Sequence, residues 1–453
     1  MTGDPYTPQS GDANLDVEHY DLTLDYKVST NRLAGVAVIR GRVIASTSSL
    51  SFDLVGIRAS KVLVDGRRPA SVHQSDRKLR ISLAGPLAAG AEFTATVTYA
   101  GAPRPRRSRW GTIGWEELED GVLVASQPTG APTWFPCNDV PSDRATYVLK
   151  VTTDSAYTVA SGGSTSRAVR GGKTTWTFER DAPTPTYLVT IQIGRYTTEP
   201  LDLGKTKGEV HYPRPLSSRV HADLADLPRM MAVFEESFGA YPLPDYTVVV
   251  TPDDLEIPLE AQGMGIFGAN HVDGAGGSER LIAHELAHQW FGNGVGLTRW
   301  RDIWLNEGFA CYAEWIWSER SGGPSAHAKA LAHHARLAAL PQDLVLGDPG
   351  PDLMFDDRIY KRGALTLHAL RLTVGDVLFF EILHRWTTRF HGKTVTTTDF
   401  RVLAEEVTGR PLAALLHAWL EAEALPALPA TALSVEPAPV TGMVPQQPIS
   451  PQR

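Results

Sequence analysis

His284-Glu285-Leu286-Ala287-His288 is followed, nineteen positions after its second histidine, by Glu307. Two histidines four residues apart on a helix project from one face, one turn above the other. That spacing suits a grip on one Zn²⁺ through two imidazole nitrogens. Glu307 would add a third protein ligand and leave a fourth position open. Glu285 leaves the helix at a different angle, so it faces the ion's surroundings without occupying the ion, as a general base acting on water would.

The residues around this run support the pattern. Trp304-Leu305-Asn306-Glu307-Gly308-Phe309-Ala310 reads as the start of a second helix, with Glu307 in its first turns. Glu314, seven residues on, shares the face of Glu307 and can accept the outer N–H of a ligating histidine. Trp290, Trp300, Trp304, Trp315 and Trp317 are interleaved with these residues. They read as core that packs the two ligand helices together and keeps the site dry. His333, His334, His368 and His417 have no ligand spacing to the motif.

A chain of 453 residues is too long for one core, so two or three domains are expected. With 42% hydrophobic and 21% charged residues it has the composition of a soluble globular protein. A net charge of −8 gives no basic field, which excludes nucleic acid as a partner. Cys137 and Cys311 are too few for a disulfide framework, and Cys311 is expected as a buried thiol. Met1-Thr2-Gly3-Asp4-Pro5-Tyr6 lacks the basic and apolar regions of a signal peptide. No stretch approaches the ~20 apolar residues of a membrane span. The expected location is the cytoplasm, with no membrane partner.

Residues 1–14 read as a flexible leader and 15–200 as a β domain. In the latter, Leu22, Leu24, Tyr26 and Val28 alternate with polar residues, and further runs include 36–44, 79–83, 93–99, 147–152, 174–178 and Tyr187–Ile193. Many short strands punctuated by Gly, Pro, Ser and Asp predict an antiparallel saddle or sandwich. Residues 201–425 begin as mixed α/β and become helical. Helices are predicted at 222–238, from Ser278 to Gly292–Gly294, and at 304–320, 325–339, 357–373, 377–391, 398–407 and 411–424. Residues 426–453, with seven prolines and no apolar period, read as a disordered tail.

Taken together, the H-E-x-x-H run, its eighteen-residue spacing to Glu307 and the Trp-Leu-Asn-Glu-Gly-Phe-Ala segment resemble the aminopeptidase N family of gluzincin metallopeptidases. Phe135-Pro136-Cys137-Asn138-Asp139 resembles that family's F-P-C-x-D segment, and Tyr360-Lys361-Arg362-Gly363-Ala364 its Y-x-K-G-A segment. Leu259-Glu260-Ala261-Gln262 lies where members carry G-A-M-E-N, with Glu260 in place of the glutamate but without the glycine and asparagine. The resemblance implies a β-saddle domain before a thermolysin-like, mainly helical catalytic domain, in a short form without the large C-terminal helical domain. It implies one zinc per chain held by His284, His288 and Glu307, with Glu285 as general base and Tyr360 stabilising an oxyanion. Glu260 and Gln127 would hold the α-ammonium of a peptide with a free N-terminus, so the implied activity is removal of N-terminal residues. One branch of the family opens an epoxide with the same zinc, and some relatives are metal-free scaffolds. These are the competing expectations, and an intact Glu285 argues against the second.

Overall fold

Buried and exposed side chains alternate along Leu15–Lys27, because successive strand residues point to opposite faces of a sheet. In the computed structural model, which describes residues 3–430, this strand lies within a seven-stranded sheet. The order is Ser164–Arg170, Lys173–Pro185, Arg144–Asp154, Leu15–Lys27, Arg32–Val43, Glu92–Gly101 and Arg58–Val64. A five-stranded and a three-stranded sheet share one core with it, centred on Tyr20, Phe52, Trp115, Trp134 and Tyr147. The saddle or sandwich expectation holds with one exception. Leu15–Lys27 and Arg144–Asp154 pair in parallel, which the long intervening chain permits.

Tyr187–Ile193 is not the strand its sequence suggests. Thr186–Leu188 forms a 3₁₀ turn and only Gln192–Gly194 pairs. Here other groups take the segment's carbonyls: the Thr190 carbonyl accepts the Ser161 hydroxyl at 2.8 Å, and the Leu188 carbonyl accepts the Gln262 N–H from the other half of the molecule.

From Tyr196 the chain enters a different five-stranded sheet, ordered Tyr196–Leu203, Thr206–Pro213, Asp245–Val250, Met264–Phe267 and Leu259–Ala261. Val248 and Val250 face the larger core, under the helices. Val249 faces a small cluster with Leu123 and Ala160 of the β-rich half, so this sheet joins the two halves. Helices follow: α1 (Ser217–Asp223), α2 (Leu227–Phe238), α3 (Glu279–Ala287), α4 (Trp304–Ser321), α5 (Ala326–Ala338), α6 (Asp357–Val374), α7 (Asp376–Arg389), α8 (Thr397–Thr408) and α9 (Ala413–Leu420). The single helix predicted at 222–238 is split before α2, because Pro228 has no N–H for the preceding turn and suits only a helix start. α3 also stops earlier than its sequence suggests. The Asn293, Gly294 and Val295 N–H groups bond to the carbonyls of His288, Gln289 and Trp290, a wider turn that closes at Gly292 with φ +107°.

The first residues depart from the loose leader expected for 1–14. Tyr6 is 6% exposed and joins the larger core, under the helices. Its hydroxyl bonds to Asp348 and accepts the Gly350 N–H, while Asp4 accepts the Trp300 N–H at 2.7 Å. At the other end Lys78 donates to the Gly11 carbonyl at 2.6 Å. The segment is a strap from the helical half to the first strand. Its polar composition hides this because a few buried groups, rather than an apolar period, hold it. Of the expected tail, 431–453 lie outside the described residues, and the Pro426 carbonyl accepts from His334 at 2.8 Å. No helix among the described residues is long and apolar enough to cross a membrane.

Candidate metal centre and active site

α3 carries His284, and His288, the residue that caps its C-terminal end in helical geometry, lies on the same face with the ring centroids 4.7 Å apart. Each ring is fixed through its Nδ1. His288 donates to the Phe291 carbonyl at 3.1 Å, and His284 meets Glu314 at 2.8 Å. A carbonyl only accepts, so in neutral His288 the Nε2 lone pair stays free to bind a metal, and Glu314 imposes the same tautomer on His284. Arg280, one turn earlier on α3, holds Glu314 at 3.1 Å.

α4 brings Glu307 to these two nitrogens. Its Oε2 lies 3.6 Å from His284 Nε2 and 3.4 Å from His288 Nε2. Ligands ~2.0–2.1 Å from a tetrahedral zinc stand about 3.3 Å from one another, so the three donors fit one ion. All three are buried, and the five tryptophans near them are core, as their sequence suggests.

Two glycines set the neighbouring helix. A Cβ on Gly308 of α4 would lie 2.8 Å from the Cα of Gly363 on α6, and one on Gly363 would lie 2.7 Å from the Cα of Gly308. The backbones therefore touch, directly beside Glu307 and close to Tyr360. The Tyr360 ring stacks 6.0 Å from that of His284. Arg362 then anchors α6 by donating to the carbonyls of Leu344, Trp419 and Glu423.

Glu260 sits on the edge strand Leu259–Ala261, where Gln127 from the β-rich half donates to it at 2.7 Å. Sequence reasoning missed what fixes that strand. Gln289, fully buried, accepts the Gly263 N–H at 2.8 Å and donates to the Ala261 carbonyl at 3.2 Å, and Asn293 donates to the same carbonyl at 2.9 Å. Gln289 directly follows His288, so the helix that carries the imidazoles also holds the turn after Glu260. Its position next to the motif was the only signal.

Burial pushes the Glu285 carboxyl up to about 7 against the pull of His284 and His288. Burial likewise raises Glu260. For Glu307, burial acts upward but the imidazoles outweigh it and hold it at about 2. Burial works the same way on Glu314, and its bond to His284 brings it to about 2. Burial would lower both imidazoles, yet Glu307 and Glu314 raise His284 to about 9, and Glu307 and Glu260 raise His288 to about 10. The pocket has a strong preference for positive charge. Glu285 Oε2 is buried without a hydrogen-bond partner among the described residues, which fits a group meant for water at a metal.

A two-histidine, one-glutamate trio with a neighbouring unpaired carboxylate, below a β-rich domain, defines a metallopeptidase type of centre. The Peptidase family M1 domain matches residues 223–419 and the Peptidase M1 N-terminal domain matches residues 16–188. An M1 zinc metallopeptidase from Deinococcus radiodurans, solved as a glutamate-to-alanine mutant with a Tyr-Ser-Ala substrate, superposes with a TM-score of 0.87 at 33% identity, over 95% of this chain and 99% of that one. Aminopeptidase M1-A of Oryza sativa subsp. japonica is 27% identical over 68% of this chain and 38% of its own length. Glutamyl aminopeptidase of Homo sapiens is 26% identical over 69% of this chain and 35% of its own length. The chain thus spans about a third of the length of these curated relatives. It belongs to peptidase family M1.

Proposed function

We propose that this protein is a zinc aminopeptidase that removes residues from the free N-terminus of peptides. The observation that carries the reading is the convergence of His284, His288 and Glu307 at zinc-ligand spacing beside the unpaired oxygen of Glu285. The complete two-domain match to an M1 zinc metallopeptidase supports it. His284, His288 and Glu307 would hold one zinc per chain. When bound, zinc acidifies water to a pKa of about 7 and polarises a carbonyl.

The chain's own groups do the rest. Glu285 takes the proton from the attacking water and returns it to the leaving nitrogen. The Tyr360 hydroxyl donates to the oxyanion. Glu260, oriented by Gln127, pairs with the α-ammonium and so fixes the scissile bond one residue from the chain end. Aminoacyl-fluorophores cleaved only with zinc present would support the reading, and a chain that holds no zinc would defeat it.

Tyr360→Phe should lower kcat by about 10²–10³-fold, the about 2.7–4 kcal/mol expected for one oxyanion donor, with little change in KM. Unchanged kcat would remove Tyr360 from the chemistry. Glu260→Ala should raise KM for free-amine substrates and narrow the difference between free and acetylated peptides. Equal losses on both would show that Glu260 does not read the amine.

A further inference from the structure

The strand that carries Glu260 is short and one-sided. Leu259–Ala261 has three residues at the outer edge of its sheet and pairs with Met264–Phe267, so that Glu260 stands opposite Gly265. So short an edge strand holds a carboxylate in place poorly through its own ladder. The extra hold comes from the end of α3. There the Gln289 N–H turns back to the Leu286 carbonyl at 3.1 Å instead of reaching the Glu285 carbonyl, and a helix end leaves such carbonyls without a helical donor. The Gln289 side chain fills the gap. It donates to the Glu285 carbonyl and to the Ala261 carbonyl, each at 3.2 Å, while its Oε1 accepts the Gly263 N–H at 2.8 Å. Asn293 donates to the Ala261 carbonyl at 2.9 Å and to Gln289 Oε1 at 3.2 Å. Both side chains are fully buried. A carboxamide alone suits this place. A carboxylate would meet two carbonyls with no N–H to offer, and a hydrocarbon would leave the Gly263 N–H and the Glu285 carbonyl unpaired.

We propose that Gln289, backed by Asn293, is a positioning residue for the substrate's N-terminus: it fixes the strand of Glu260 against the end of α3 and so sets how tightly a free α-ammonium is held. This rests on the proposed function, in which Glu260 reads that ammonium. Gln289 acts through the backbone of Ala261 and Gly263, the residues just after Glu260. Gln127 steadies the Glu260 carboxylate from the β-rich half at 2.7 Å, and Gln289 steadies its strand from the helical half. The two together place the ammonium partner at a set distance from His288, the immediate neighbour of Gln289. A misplaced partner costs binding of the substrate's end before it costs the chemistry at the scissile bond.

The test is Gln289→Met in the zinc-loaded full chain, a change that keeps length and volume and removes every one of these bonds. Zinc content, kcat and KM are measured on a free-amine aminoacyl-fluorophore, in the wild-type background and in Glu260→Ala. Gln289→Met should keep its zinc and raise KM about tenfold, the scale of one hydrogen bond, with kcat changed by less than about twofold. Added to Glu260→Ala it should raise KM no further, because the group it positions is gone. Asn293→Ala removes only the second donor to Ala261 and should raise KM in the same direction by about twofold; it decides the matter by the same two measurements should Gln289→Met fail to fold. A wild-type KM with only a lower melting temperature, a loss confined to kcat, or a full further rise in the Glu260→Ala background overturns the inference. A wild-type chain that retains no zinc or cleaves no substrate defeats the proposed function itself, and an unchanged KM in Glu260→Ala alone defeats the ammonium reading and this inference with it.

Discussion

Glu285→Gln is expected to keep its zinc and lose two to four orders of magnitude in kcat, the range removed with a general acid–base group. The substitution preserves shape and removes only the ability to take a proton. Zinc should stay because Glu285 is not one of the three converging donors. Folding should not suffer either. Burial pushes this carboxyl up to about 7 and its Oε2 has no partner among the described residues. A charged group that is buried and unpaired destabilises the fold, so the neutral amide should leave the melting temperature equal or higher. Zinc content, kcat and melting temperature on one preparation decide the matter. Loss of zinc with activity would recast Glu285 as a ligand, and full turnover would end its role as base.

The centre was legible because its chemistry is local. His284, Glu285 and His288 lie in five consecutive residues, and their helical spacing alone sets the two imidazoles on one face. Glu307 and Glu314 were legible by the same periodicity on α4, and the 2.8 Å contact of Glu314 with His284 lies where that reading puts it. What stayed hidden depends on contacts between distant segments. Gly308 and Gly363 looked like ordinary motif glycines, yet they let α4 and α6 touch backbone to backbone. Gln289 gave no periodic signal, because its work is to satisfy the backbone of a turn from another part of the sheet. The strap around Asp4 and Tyr6 has the composition of a loose leader for a related reason. A few specific hydrogen bonds to Trp300, Asp348 and Gly350 hold it, and composition does not report single bonds. The same limit explains Tyr187–Ile193, whose β-branched and aromatic residues suggest a strand while the Ser161 hydroxyl and the Gln262 N–H take its carbonyls.

Stripping the zinc with a chelator should abolish turnover and lower the melting temperature by an amount that grows with pH. In the zinc-free pocket Glu307 and Glu314 hold His284 at about 9 and Glu307 and Glu260 hold His288 at about 10, against burial, while an unfolded histidine titrates near ~6.5. A folded pKa above the unfolded value stabilises fully below about 6.5, and that stabilisation is lost as pH rises through 9 to 10. Glu307 and Glu314, held at about 2, behave in the opposite sense, and their contribution is lost only as pH falls below about 4.5 towards 2. The zinc-free protein should therefore lose stability steadily from pH 7 to 10. The zinc-bound protein should lose much less, because the ion stands where the two protons stood. Near pH 7.5 each zinc taken up should then release about two protons. Calorimetric titration in buffers of different ionisation heat measures that release, and melting curves with and without chelator measure the widening gap. Uptake without proton release, together with a gap independent of pH, would mean that the metal binds somewhere other than between these two imidazoles and Glu307.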